Sequence, residues 1–192
     1  MQPIGNLFGK FPRVVRDLSR SLDKQAELVI EGQDVELDKT ILENLSDPMT
    51  HLIRNCCDHG LETPGERSAA GKPEQGLLHL HAFHQGGNIM IQINDDGAGF
   101  DMERIRKKAV TLGLLNQDEI VTEELLYEFI FHPGFSTAAQ ISDLSGRGVG
   151  MDVVRRNIRA LGGSIEIKSK KGHGTTFSIR LPLTLAILDG QL

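Results

Sequence analysis

Ile89-Met90-Ile91-Gln92-Ile93-Asn94-Asp95-Asp96-Gly97-Ala98-Gly99-Phe100 is the stretch from which the fold can be read. Ile89, Ile91 and Ile93 alternate with polar or softer neighbours, the period of a half-buried strand. Carboxylates and glycines then close it. Upstream, Leu77–Phe83 has the same character, and Gln85-Gly86-Gly87-Asn88 between the two runs predicts a hairpin. Ile165 and Ile167, then Phe177, Ile179 and Leu181, alternate around Gly172-His173-Gly174 and predict a second hairpin. Ala26–Leu37 predicts a third: Leu28 and Ile30 alternate, Gly32-Gln33-Asp34 turns, and Val35 and Leu37 return.

Helical periodicity fills the spaces between these strands. Pro12–Leu22 carries Val14, Val15, Leu18 and Leu22 on one side, a stripe expected to pack on something outside this chain. From Asp38 to His59 apolar residues recur at three and four, with Asp47-Pro48 predicting a kink or a fresh start and Gly60 ending the run. Thr63–Gln75 reads as a polar loop. Met102, Ile105, Ala109 and Leu112 predict another amphipathic helix, Leu125, Leu126, Phe129 and Ile130 a further one, and Val149–Leu161 the last, stopped by Gly162-Gly163. Pro133–Gly148 has the composition of a mobile loop. Strand pairs interspersed with helices, without regular strand–helix–strand alternation, give an α+β fold class. The expected architecture is a two-layer sandwich whose mixed, mostly antiparallel sheet has helices on one face.

The 192 residues suffice for one domain with a real core. A net charge of -5 argues against nucleic acid as a partner, and the basic residues Lys10, Arg13, Arg16, Arg20 and Lys24 read as a solvated helix face. The cysteines, Cys56 and Cys57, are adjacent within a helical pattern. Neighbours make a poor bridge, so they read as reduced core residues of a cytoplasmic protein. No apolar run approaches a transmembrane length, so no direct membrane insertion is expected.

Several polar residues stand out. His51, Asn55 and His59 are spaced by four and share a helical stripe, with Asp58 beside them. Asn55 offers a neutral oxygen suited to Mg²⁺, which keeps waters and takes only one or two protein ligands. His79, His81 and His84 read as structural. Asp95 is the candidate for base recognition: an ionised carboxylate accepts from the exocyclic amine of adenine but cannot donate to a carbonyl. Gly97 and Gly99 remove side chains where a flat base approaches backbone. A calcium loop is excluded because no further acids follow at the required positions. Ser145-Gly146-Arg147-Gly148-Val149-Gly150-Met151 lacks the Gly-Lys-Ser/Thr ending of a phosphate loop and the third glycine of a dinucleotide fingerprint. What remains is bare backbone leading into a helix N-terminus, suited to phosphate.

In order along the chain, these motifs resemble those of the GHKL superfamily of ATP-binding domains (gyrase, Hsp90, MutL and histidine kinases), and within it the CheA family of chemotaxis histidine kinases. Asp47–Asn55 followed by Asp58-His59-Gly60 is similar to that family's N box, and Asp95–Gly99 to its first glycine box. Phe131-His132-Pro133-Gly134-Phe135-Ser136-Thr137 is similar to its F box, Ser145–Met151 to its second glycine box, and Gly174-Thr175-Thr176-Phe177 to its last.

The resemblance implies a Bergerat-type ATP-binding fold, with ATP and Mg²⁺ as cofactors. It implies that Asp95 holds the adenine amine with support from Thr175, and that Asn55 ligates Mg²⁺ with His51 close by. Asp58, His59, Arg104 and Lys108 would line the nucleotide site, the last three near the phosphates. Ser145, Gly146, Arg147, Gly148, Val149, Gly150 and Met151 would wrap the triphosphate as the hinge of a lid.

It further implies residues 1–22 as the end of a dimerisation helix and linker, 23–183 as the kinase domain, and 184–192 as the start of a linker to a regulatory domain. Expected partners are the phosphoacceptor histidine domain, a coupling protein with its receptor array, and a second kinase copy. Hydrolytic members of the superfamily carry a glutamate four residues before the metal asparagine. Here that position is His51, which favours transfer to an external imidazole. An ATPase whose lid closure drives a conformational change and a nucleotide-dependent module of a receptor array are the competing readings.

Overall fold

The computed structural model describes residues 1–135 and 150–183. Its described elements form two compact units, Met1–Gly99 with Asn157–Leu192, and Phe100–Arg156.

The first unit is built on a five-stranded sheet. Its strands are β2 (Ala26–Glu31), β4 (Gly76–Gln85), β5 (Asn88–Asp95), β6 (Ser164–Lys170) and β7 (Gly174–Pro182), in the order β2-β4-β5-β7-β6. The β4–β5 and β6–β7 hairpins form as the turn residues predict. β5 pairs antiparallel with β7, and β2 pairs parallel with β4, so the sheet is mixed and mostly antiparallel as expected. Register places Leu80, Ile93, Phe177 and Ile167 in one cross-strand row and Ala82, Ile91, Ile179 and Ile165 in the next. All eight are buried, and they form the helix-covered face.

The third predicted hairpin is not there. β2 pairs with β4, while β3 (Glu36–Leu37) pairs antiparallel with β1 (Gln2–Pro3) in a separate two-stranded ribbon. The Gly32–Asp34 turn is real, but the strands leaving it diverge to different partners. The stripe of the first long helix is also corrected. In α2 (Phe11–Ser21), which follows the short α1 (Gly5–Phe8), the buried residues are Phe11, Val15 and Ser19. Val14, Leu18 and Leu22 are only partly covered, and Phe11 and Val15 are in the chain's own core. Ser19 tolerates burial because its hydroxyl donates to the Val15 carbonyl at 2.6 Å.

α3 (Lys39–Asn55) runs unbroken through Pro48, which is buried inside it. Its N-cap is Asp38, whose carboxylate accepts the Thr40 N–H at 2.8 Å, so Asp47 does not start a new helix. Buried Leu42, Leu45, Met49, Leu52 and Ile53 supply the helical side of the core. Within Thr63–Gln75, read as loop, lies α4 (Pro64–Ala69), closed by a Thr63–Glu66 capping box with Pro64 in its first turn.

The second unit contains α5 (Met102–Thr111) and α6 (Glu123–Ile130), close to their predicted ranges. Its core gathers Ile105, Ala109, Leu115, Leu126 and Phe135. α7 (Met151–Ala160) begins in this unit and ends in the first. Most of the predicted mobile loop, Pro133–Gly148, lies outside the described residues. Among the described residues no helix is long and apolar enough to cross a membrane.

Candidate functional site

The apolar stripe of β5 ends on a carboxylate. Side chains two apart on a strand share a face, so Asp95 follows Ile91 and Ile93 onto the helix-covered side. Leu78, Thr175 and Ser169 lie beside it in register, and the Thr175 and Ser169 hydroxyls are 2.9 Å apart. Asp95 is 3% exposed. Burial pushes its pKa from 3.8 up to about 6, against the Gly97 N–H, the Cys56 thiol and the Thr175 N–H, which favour the charged form. The Gly97 donor lies 2.9 Å from Oδ1. At neutral pH the group is therefore mainly an acceptor with no proton to give.

Backbone crowds this carboxylate and side chains are kept away. A Cβ on Gly60 would lie 2.9 Å from Asp95 Oδ2, and one on Gly97 would lie 2.0 Å from the Gly60 carbonyl oxygen. The Ala98 N–H donates to that same oxygen at 2.8 Å, stitching the loop after β5 to the end of the helical segment. Gly99 is left-handed at φ +70, with the Lys170 carbonyl 2.3 Å from where a Cβ would be. These glycines let backbone pack directly against the carboxylate, where any side chain would collide with it or with its neighbours.

Asn55 is the last residue of α3, and His51 precedes it by one turn; both are half-buried. The stripe does not continue to His59. Cys56–Gly60 forms a π-helical turn, closed by the Leu61 N–H to the Cys56 carbonyl at 2.8 Å. This wider turn breaks the spacing of four, and His59 is exposed beside Asp58 at 3.5 Å. Lys24 holds the turn's end, donating to the carbonyls of Cys57 at 2.9 Å and Asp58 at 2.6 Å. Cys56 and Cys57 are free, buried thiols, and burial pushes both up, Cys57 to about 12. They stay protonated and unreactive.

Asp95, Gly97, Gly99, Thr175, Asn55, His51, Asp58 and His59 thus all belong to the first unit. Arg104, Lys108, Gly150 and Met151 belong to the second. Arg104 is exposed on α5, whereas Lys108 is half-buried with its Nζ 5.0 Å from the centre of the Phe135 ring, and burial lowers its pKa. Met151 is buried at the start of α7. Ser145, Gly146, Arg147, Gly148 and Val149 lie outside the described residues. Among the described residues no three His, Cys, Asp or Glu side chains are grouped to hold a metal.

One cluster escapes the sequence reading altogether. Arg67 on α4, Glu62, Lys72 and Asp96 form an ion network against the loop that follows Asp95. The Thr63-x-x-Glu66 capping signature could have revealed the helix that carries Arg67, but nothing local points to the network.

Residues 44–185 match the family model described as histidine kinase-, DNA gyrase B-, and HSP90-like ATPase. The whole chain is similar to the chemotaxis protein CheA of Klebsiella aerogenes, at 55% identity over 29% of that protein's length. It is likewise similar to the sensor histidine kinase CheAY of Helicobacter pylori, at 50% identity over 24% of its length. The chain therefore spans only about a quarter of these curated relatives. Among solved structures, the histidine kinase domain of a blue-light-activated kinase from Erythrobacter litoralis matches with a TM-score of 0.54 at 13% identity, covering 95% of this chain and 66% of that one. The mycobacterial sensor histidine kinase MprB matches at 0.51 and 18%, covering 89% and 91%. These two likenesses concern the fold.

Proposed function

This chain belongs to the histidine kinase-, DNA gyrase B-, and HSP90-like ATPase family, and on that premise we propose that it is the catalytic ATP-binding domain of a CheA-like two-component histidine kinase. It binds Mg-ATP and passes the γ-phosphate to a histidine on a separate phosphoacceptor domain, in chemotaxis-type signalling. The observation that carries this reading is the buried Asp95 carboxylate facing the bare α-carbon of Gly60.

In this reading ionised Asp95 accepts a hydrogen bond from the adenine amine, with Thr175 beside it. A ring bearing a carbonyl at that edge meets a buried acceptor with an acceptor, so guanine is rejected. Asn55 and His51 line the same helix one turn apart. Mg²⁺ fits this sparse donor set: Asn55, with His51 close by, would hold it while phosphates and water supply the other ligands. When bound it offsets the phosphate charge. His51 stands where a carboxylate would be needed to draw a proton from water. Hydrolysis is therefore disfavoured, and an outside imidazole is the better nucleophile. His59 would supply a hydrogen-bonding group for the phosphates; for Arg104, Lys108 and the glycine-rich residues 145–151 a phosphate role rests on the family resemblance alone.

The partners proposed with this function are the phosphoacceptor domain, a second kinase copy, and a coupling protein with its receptor array. The working compartment is the cytoplasm. The test mixes the chain with a separately made histidine-bearing phosphoacceptor domain, magnesium and γ-labelled ATP. Label should appear on the acceptor domain. Sustained phosphate release with no labelled acceptor would instead establish a hydrolase.

A further inference from the structure

Behind Asp95 lies a second layer of charge. The Arg67 side chain is fully buried. Its guanidinium donates to Glu62 at 2.9 Å, to Asp96 Oδ2 at 3.0 Å, to the Pro73 carbonyl at 2.7 Å and to the Asp96 carbonyl at 3.3 Å. Lys72 Nζ donates to Glu62 at 2.8 Å and to the carbonyls of Asp96 and Gly97 at 3.0 and 2.8 Å. Burial raises the Glu62 pKa, but the hydrogen bond from Lys72, a backbone donor and the two cations more than offset it and hold the group below its usual value. The other Asp96 oxygen takes the Leu77 N–H at 2.9 Å.

Stapling α4 to the sheet would need only the carboxylate contacts. The carbonyl contacts do something further. In a trans peptide the C=O and N–H point in opposite directions. The Asp96 carbonyl is held by Arg67 and Lys72, and the N–H of that same peptide, Gly97's, donates to Asp95 Oδ1. The Gly97 carbonyl is held by Lys72, and the N–H of that same, second peptide, Ala98's, donates to the Gly60 oxygen. Two consecutive peptides are thus pinned by cations at one end and aim their donors into the site at the other.

We propose that Arg67 and Lys72 are positioning residues for purine recognition: they fix the peptide planes that orient the Asp95 carboxylate and hold Gly60 against it. This rests on Asp95 being the adenine acceptor. Both cations are engaged by carboxylates and carbonyls of the protein, so their effect should be specific to the amine that Asp95 reads.

The test compares ADP with inosine diphosphate, which carries a carbonyl in place of that amine, by calorimetry on the 192-residue chain. Urea unfolding is measured alongside. Wild type prefers ADP. Lys72→Met weakens ADP binding roughly tenfold, as expected when a charge-assisted hydrogen bond is lost. It leaves inosine diphosphate binding nearly unchanged, so the preference narrows, and Lys72→Arg restores it. Arg67→Lys narrows the preference in the same way. Lys72 is the primary site because its side chain is 18% exposed and its loss is less disruptive to folding than that of Arg67. An ADP preference in Lys72→Met equal to wild type, with or without a lower unfolding midpoint, overturns the inference alone. A wild-type chain with no ADP preference removes the Asp95 assignment and this inference together.

Discussion

Replacing Asp95 by Asn should raise stability and abolish adenine recognition, two effects of opposite sign from one charge. The folded carboxyl carries a pKa of about 6 against an ordinary 3.8, chiefly because it is buried. A shift of about two units, at about 1.4 kcal/mol each, corresponds to about 3 kcal/mol. An acid whose pKa is raised on folding binds its proton more tightly in the native chain than in the unfolded one. Stability therefore falls as pH rises from about 4 through about 6, and above that the ionised carboxylate costs the fold about 3 kcal/mol.

Asn has no such slope. It also has only one acceptor oxygen for the Gly97 N–H, the Thr175 N–H and the Cys56 thiol, a loss of about 1–2 kcal/mol. Near pH 7.5 the variant should thus be more stable by about 1–2 kcal/mol, and near pH 4 less stable by a similar amount. Binding moves the other way. The variant presents a partial donor to the adenine amine and should lose ADP binding. Wild type should bind ADP roughly tenfold more weakly at pH 5 than at pH 7, following the ionised fraction of a group with this pKa. Urea unfolding of both proteins across this pH range, with calorimetry against ADP and magnesium, reads all of these quantities. A stability difference that is constant with pH, or wild-type ADP affinity in Asp95→Asn, would refute the reasoning.

Three further perturbations test separate parts of the site. Asn55→Ala should lower magnesium-dependent phosphotransfer by roughly a hundredfold, as for loss of a group that positions transition-state charge, while ADP binding without magnesium stays the same; unimpaired transfer would remove the metal role. Gly97→Ala places a methyl 2.0 Å from the Gly60 oxygen, so the loop must move. We expect about 1–3 kcal/mol of destabilisation in thermal unfolding together with lost nucleotide binding, and an unchanged melting temperature would contradict the close approach. Lys24→Met strips a charged donor from the carbonyls of Cys57 and Asp58 and should cost about 1–2 kcal/mol in urea unfolding; no change would mean that water replaces it fully.

What could be read from the sequence was what is encoded locally. The β4–β5 and β6–β7 hairpins each carry their own turn residues, and the strand-ending Asp95 carries its own chemistry. β2 carries no comparable signal. Its partner is β4, joined in parallel from Ala26↔Gly76 onward across the intervening α3 and α4, so the residues after Gly32 suggested a hairpin that the chain does not make. Sequence also misplaces the buried face of α2, for a related reason: Ser19 replaces an apolar residue by satisfying its hydroxyl within the helix, and periodicity counted on apolar letters alone misses it. Pro48 looked like a boundary because a proline removes one helical hydrogen bond, yet burial of Leu45, Met49 and Leu52 on either side keeps the helix whole.

The same division runs through the site. Asp95 could be named as a candidate from its motif, whereas the groups that hold the loop beside it are 29 residues away in Arg67–Asp96 and 25 in Lys72–Gly97. Those contacts exist only once α4 has folded against the end of β5. A carboxylate can therefore be recognised from sequence as an acceptor long before it can be recognised as an oriented one. On the proposed reading, its selectivity for an amine over a carbonyl depends on that orientation, set by cations that no reading of the glycine box alone would include.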